Sequence, residues 1–122
     1  MHLAIIGSRS FSDYNRLSGI VKSWFYNGGA SGDQCEISSI ISGGATGVDS
    51  LAARFAKEEN IHLVEHLPDW ERFGKRAGFI RNEDIIKNCS CVLAIWDGIS
   101  KGTGNSLSIA KRLKKPTLII YF

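Results

Sequence analysis

Five short apolar runs punctuate the chain, and each closes on turn-forming residues. Leu3–Ile6 runs into Gly7-Ser8-Arg9-Ser10-Phe11, Ile37–Ile41 into Ser42-Gly43-Gly44-Ala45-Thr46-Gly47, and Ile61–Leu67 into Pro68-Asp69-Trp70. Cys91–Trp96 leads to Asp97-Gly98 and then to Lys101-Gly102-Thr103-Gly104-Asn105, and Thr117–Tyr121 is the fifth run. Short, β-rich apolar runs bounded by turn residues predict buried strands. Between them apolar positions return at helical spacing. Tyr14, Leu17, Val21, Trp24 and Phe25 form one stripe, with Ser12 or Asp13 able to cap its start. Val48, Leu51, Ala52, Phe55 and Ala56 form a second. Arg76–Asn88 carries a weaker pattern on Ala77, Ile80 and Ile85. Ser106–Lys114 turns Leu107, Ala110 and Leu113 inward and is stopped by Pro116. This alternation predicts an α/β fold: one Rossmann-like, doubly wound, parallel five-stranded sheet with helices on both faces and right-handed crossovers, occupying residues 1–122 as a single domain. Asn27–Gln34 reads as a flexible loop between elements.

Composition narrows the class. The 122 residues suit one domain, and 43% hydrophobic with 22% charged residues is globular rather than disordered. The net charge of +3 is too small to mark a nucleic-acid binder, although it suits an anionic small ligand. No apolar run approaches the roughly 18 residues of a membrane span, so no membrane partner is expected. The stretch before Gly7 is too short for a signal peptide. Cys35, Cys89 and Cys91 are an odd set, and Cys89-x-Cys91 lacks the second pair a zinc site needs. A reducing, cytoplasmic setting is therefore expected, with no metal and no cofactor. His62 and His66 would stand about 13 Å apart on a strand, too far to chelate. Lys111, Arg112, Lys114 and Lys115 read as a solvated helix face.

In an open parallel sheet, ligands bind beyond the carboxyl ends of the strands, and every glycine-rich segment above falls there. Gly43-Gly44-Ala45-Thr46-Gly47 leads from a strand into a helix. It is either a tight turn with Thr46 as helix cap, or a cradle whose free N–H groups and helix dipole hold a phosphate. Lys101-Gly102-Thr103-Gly104-Asn105-Ser106 repeats the arrangement after the fourth strand and adds a lysine. Two such segments on one sheet edge favour an anionic ligand. Neither a P-loop nor a G-x-G-x-x-G after the first strand is present, which argues against P-loop NTPases and ordinary NAD dehydrogenases. Gly7, Ser8 and Arg9 follow the first strand, where the sheet order should reverse. Arg9 can either clasp phosphate or form a rim ion pair with Asp13 or Asp49. Asp49 itself either complements the helix dipole or meets ribose and main chain within the site. Between Trp70 and Asn82, aromatics mix with cations. Trp70 and Phe73 read as pinning the loop to the core, with base stacking the alternative, and Arg76 and Arg81 as ligand-binding.

Four segments together resemble a known family. These are Gly7-Ser8-Arg9-x-Phe11; Ser42-Gly43-Gly44-Ala45-Thr46-Gly47-Val48-Asp49; Asp69-Trp70-Glu71-Arg72-x-Gly74-x-x-Ala77-Gly78-x-x-Arg81-Asn82; and Lys101-Gly102-Thr103. They resemble the small YspA/YpsA-related branch of the SLOG superfamily, found in bacteria and phages, over nearly the whole chain. That resemblance implies a Rossmann-like sheet that binds nucleotides or nucleotide-derived molecules. Related branches include LOG-type phosphoribohydrolases, which cleave a base from a nucleoside monophosphate, and DprA-type proteins, which bind single-stranded DNA. The LOG pattern Pro-Gly-Gly-x-Gly-Thr-x-x-Glu ends in a glutamate, whereas Ser106 follows Gly102-Thr103 here and Ser108 follows Gly104-Asn105. Glycoside cleavage needs a carboxylate or its equivalent; Asp49, Asp97 or Glu83 are the substitutes at hand, and Asp49 and Arg81 the weak catalytic candidates.

The leading expectation is thus a nucleotide-binding protein. Phosphate would rest on Gly43–Gly47 and Gly102–Ser106, aided by Arg9, Arg81 and Lys101. Base or ribose would lie toward Phe11, Trp70 and Asn82. Arg76, Asp97, Gly104 and Asn105 complete the expected ligand-binding set. The alternatives are a nucleotide N-glycosidase and a DprA-like single-stranded DNA accessory, with nucleic acid the less favoured partner. A homodimer through Trp24, Phe25 and Tyr26 is expected as well.

Overall fold

The computed structural model describes residues 1–26 and 37–122, the Tyr26 side chain excepted. The expected loop Asn27–Gln34 and Cys35 lie outside the described residues. The sheet consists of β1 (His2–Gly7), β2 (Ser39–Ser42), β3 (His62–Glu65), β4 (Cys91–Trp96) and β5 (Thr117–Tyr121). All neighbours are parallel, in the order β3-β2-β1-β4-β5. The order reverses between β1 and β4, the point at which such sheets open a crevice at their carboxyl edge. β1 and β4 are the central strands, and Leu3–Ile6 and Val92–Ile95 are buried throughout. Each of the five expected runs is a strand. The shortest, β2 and β3, omit Ile37, Ile61, His66 and Leu67.

The helices are α1 (Tyr14–Val21), α2 (Val48–Glu58), α3 (Trp70–Phe73), α4 (Ala77–Asn88) and α5 (Lys101–Arg112). Asp13 starts α1 by accepting the Arg16 N–H at 3.1 Å. A π-helical turn over Lys22–Tyr26 follows it, so Phe25 still packs on the core while Trp24 is half exposed. A 3₁₀ turn over Gly74–Arg76 joins α3 to α4.

Each face of the sheet has its own core. Leu3 and Ile5 meet Leu17 and Val21 of α1 and Val48, Ala52 and Phe55 of α2. Ala4, Ile6, Val92 and Ala94 meet Ile85 and Ile86 of α4 and Ile109 and Ala110 of α5. Alternate residues of one strand serve opposite helical layers, which is why Leu3–Ile6 and Val92–Ile95 hold no polar residue. Cys89 joins the second core and donates its thiol to the Ile86 carbonyl at 3.2 Å. Among the described residues, no helix is long and apolar enough to cross a membrane.

Two expectations are corrected here. The segment Lys101–Asn105 is not a loop before a helix that starts at Ser106; it is the first turn of α5. Asp97 accepts the Ile99 and Ser100 N–H groups, both at 2.8 Å, so the turn is completed by Asp97–Ser100 and the glycines fall inside the helix. Phe11 is buried in the first core and meets Phe122 edge to face at 5.0 Å, so it offers no surface to a ligand.

Candidate functional site

A cleft of about 500 Å³ opens at the carboxyl edge where the strand order reverses. Its walls come from the segments after β1, β2 and β4 and from the amino-terminal halves of α4 and α5. Of the residues expected to bind ligand, Gly7, Ser8, Arg9, Gly43, Ala45 and Asp49 line its first half. Arg81, Asn82, Asp97, Lys101, Gly102, Thr103 and Ser106 line the second. Ile6, Ser10, Ile85 and Ser100 also line it. Ile85 was expected inside as core, and only its helical register with Arg81 and Asn82 hints at the cleft.

The remaining expected residues stand elsewhere. Gly44 and Thr46 are exposed on the bend. Thr46 does not cap α2: the cap position is Gly47, with φ 73° and ψ −129° and no side-chain bond. Trp70 is 58% exposed with its ring edge beside Gly78, neither in the cleft nor pinned in the core. Arg76 is exposed in the turn before α4. Gly104 and Asn105 lie on α5 beside the cleft's lining, where Gly104 approaches Trp96 and Asn105 accepts from the Asn82 amide at 3.1 Å.

The half of the cleft after β2 is built around an internal carboxylate. Asp49 Oδ2 accepts the Ala45 N–H at 3.1 Å, so the carboxylate of the first turn of α2 folds back into its own bend. Burial pushes the Asp49 carboxyl above the usual carboxylate range; the Ala45 bond and the Arg81 guanidinium offset this only in part. The Ser42 hydroxyl is sealed from solvent, sits outside good hydrogen-bonding geometry, and lies near enough to the Asp49 carboxylate to stabilise its charge. Arg81 is half-buried, donates Nη1 to the Gly43 carbonyl at 2.8 Å and Nε to Asn82 Oδ1 at 3.0 Å. Gly43 fits only because it lacks a Cβ, which would stand 2.7 Å from Arg81 Nη1 and 2.9 Å from Asp49 Oδ2. Arg9 is exposed and makes no ion pair with Asp13 or Asp49 within contact distance among the described residues; from the rim it acts on Asp49 only through longer-range charge.

The half after β4 is organised differently. Ser8 ties the loops together: its hydroxyl accepts the Asp97 N–H at 3.1 Å and lies 3.1 Å from Ser100 Oγ. Asp97 is committed to the turn, and the donors from Ser100 and Ile99 hold its carboxyl below the usual range. The amino end of α5 carries no acidic residue in its first turn and no side-chain cap from Ser100. Helix geometry leaves its first N–H groups without internal acceptors. Thr103 and Ser106, one helical turn apart and lining the cleft, are 6% and 3% exposed. Neither hydroxyl has a hydrogen bond among the described residues. Both hydroxyls therefore reach the cleft rather than being sealed in the core, and two unengaged hydroxyls on one helix face at a helix start suit an oxygen-rich anion.

Comparison with known proteins places this geometry. The family model of the YspA, cpYpsA-related SLOG family matches residues 1–73. The "Gene 61 protein" of Mycobacterium phage D29 is 32% identical over 85 residues, which is 65% of this chain and 68% of that protein. Among solved structures, DNA processing protein A from Helicobacter pylori, described for its single-stranded DNA binding mode, is similar at TM-score 0.69 and 20% identity. The match covers 98% of this chain and 64% of that one. DNA processing protein A from Streptococcus pneumoniae is similar at TM-score 0.73 and 15% identity, over 97% of this chain and 49% of that one. The chain thus spans about half to two thirds of the length of these two proteins, and at such identities the likeness is one of fold.

Proposed function

The chain belongs to the YspA, cpYpsA-related SLOG family, and from there we propose that it binds a nucleotide or nucleotide-derived small molecule in the cleft between β1 and β4. The phosphate rests at the amino end of α5, beside the first N–H groups of the helix, with Thr103, Ser106 and Lys101 all lining the cleft there. The observation that carries this reading is the pair of unengaged hydroxyls, on largely buried residues that line the cleft, beside a helix start without a side-chain cap. A cleft of about 500 Å³ lies within the range for small-molecule sites. Where the phosphoribohydrolase pattern has glutamate, the cleft presents Ser106, so the reading is one of binding rather than cleavage.

Calorimetry against ribonucleoside monophosphates, cyclic nucleotides and ADP-ribose tests it. At least one binds, and Lys101→Ala weakens that binding more at low than at high salt. No heat from any member, with the protein folded by circular dichroism, removes the reading.

A second reading has its own support. Trp70 and Phe79 are more than half exposed, and Arg72, Lys75 and Arg76 stand exposed between them in sequence. Stacking rings beside cations suit a single nucleic-acid strand, and the Helicobacter pylori neighbour is described as a single-stranded DNA binder. Fluorescence anisotropy with a labelled oligonucleotide distinguishes the two: this reading requires affinity that falls steeply with salt and is lost in Trp70→Ala.

A further inference from the structure

We propose that the cleft is polarised, with the amino end of α5 taking the ligand's phosphate and Asp49, already seated in the Gly43–Gly47 bend, taking the hydroxyl groups of its pentose, so that the site selects ribonucleotides over nucleotides lacking those hydroxyls. This rests on the nucleotide reading above and goes on to assign each end of the cleft its chemistry.

The two glycine-containing segments look alike in sequence but leave different groups free toward the cleft, a carboxylate on one and helix-start hydroxyls on the other. On the bend after β2, two of the donors a phosphate would need are engaged. The Ala45 N–H goes to Asp49 Oδ2 at 3.1 Å, and the first N–H of α2, that of Val48, goes to the Ser8 carbonyl at 3.3 Å. A phosphate there would also lie against a carboxylate. At the α5 end the nearby carboxylate, Asp97, is spent on the Ile99 and Ser100 N–H groups that precede the helix, no acid stands in the first turn, and the Thr103 and Ser106 hydroxyls lining the cleft are unengaged among the described residues.

Asp49 is itself incompletely satisfied. It lines the cleft at 9% exposure, and with only the Ala45 N–H and the neighbouring Ser42 hydroxyl near it as neutral donors, the carboxylate keeps lone pairs for a further donor. A buried carboxylate with open lone pairs carries a desolvation penalty that a ligand donor relieves. The missing donor is neutral. Arg81 and Arg9 already act on Asp49 electrostatically, so a cationic group would meet two like charges. Paired sugar hydroxyls supply neutral donors on the same molecule as the phosphate.

The test measures, on the native protein, the affinities of the four ribonucleoside 5′-monophosphates against their 2′,3′-dideoxy counterparts. The ribo forms bind at least about tenfold more tightly, the scale of one or two hydrogen bonds to a charged group. Asp49→Asn narrows that ratio to below about threefold. The double variant Thr103→Val/Ser106→Ala weakens all phosphorylated members together and leaves the ratio in place. Thermal melts confirm that each variant is folded, and the native comparison needs no variant. Equal binding of ribo and dideoxy forms overturns the polarised cleft while the nucleotide reading stands. A ratio that survives Asp49→Asn overturns the role of Asp49, and undiminished binding in the double variant overturns that of α5. Failure of every nucleotide to bind overturns both the polarised cleft and the reading beneath it.

Discussion

Gly47 and Gly102 look equivalent in sequence, each a glycine near a helix start below the same cleft, yet replacing them with alanine has opposite effects on stability. Gly47 holds φ 73° and ψ −129°, a conformation that side-chain-bearing residues avoid. A Cβ there would stand 2.4 Å from the Arg9 carbonyl oxygen and 2.5 Å from Arg9 Cα, and backbone atoms cannot swing aside. Strain of about 1–3 kcal/mol and overpacking of about 1–3 kcal/mol together destabilise Gly47→Ala by about 2–6 kcal/mol. Gly102 lies in regular helix, and its Cβ would meet nothing within 4 Å. Gly102→Ala restricts only the unfolded chain and gains about 0.4–1 kcal/mol. Urea unfolding followed by circular dichroism reads both values. For a chain of this size 1 kcal/mol moves Tm by roughly 3–6 °C. Gly47→Ala therefore falls by at least about 6 °C or fails to fold, while Gly102→Ala melts at or above the native temperature. Equal losses in the two variants, or a Gly47→Ala protein as stable as native, would refute the distinction between bend and helix start.

Three titrations follow from the same geometry. Burial raises the Asp49 pKa, so the fold holds that proton more tightly than the unfolded chain does; the associated stability is present in acid and is lost as pH rises through the folded value. Ligand-free Asp49→Asn therefore melts above native at neutral pH and loses that advantage near pH ~3, and a variant melting below native at neutral pH contradicts the sign. Asp97 behaves in the opposite sense: its lowered pKa contributes stability above the usual carboxylate range that disappears as pH falls through the folded value. Asp97→Asn thus lowers Tm at neutral pH, with the gap closing in acid; a gap that persists there refutes the assignment. Burial and the 2.6 Å bond to Glu58 Oε2 push the Tyr14 phenol up to about 12. An alkaline absorbance titration loses a component near that pH in Tyr14→Phe, and a lost component that titrates near the ordinary tyrosine value of about 10 shows that the Glu58 contact is not made in solution.

How much of this was legible in the chain depended on whether one element or two decided the outcome. β1 and β4 were plain because burial on both faces leaves an unbroken apolar run, and with them came the crevice beyond their ends. Phe11 was not, because the ring that covers it, Phe122, lies at the other end of the sequence. The Lys101–Asn105 misreading has a local cause. Gly, Thr and Asn signal turns, but Asp97 had already completed the turn through the Ile99 and Ser100 N–H groups, leaving the next residues free to continue as helix. The contrast between the two ends of the cleft was half visible. Asp49 stands one residue into the helix expected from Val48, and no acid occupies the corresponding turn of α5. Sequence alone leaves that carboxylate free to face solvent, as first-turn acids commonly do. Here Gly43 lacks the Cβ that would block its return, and the Ala45 N–H receives it. The glycine that suggested a phosphate cradle is therefore what lets the protein's own anion occupy it.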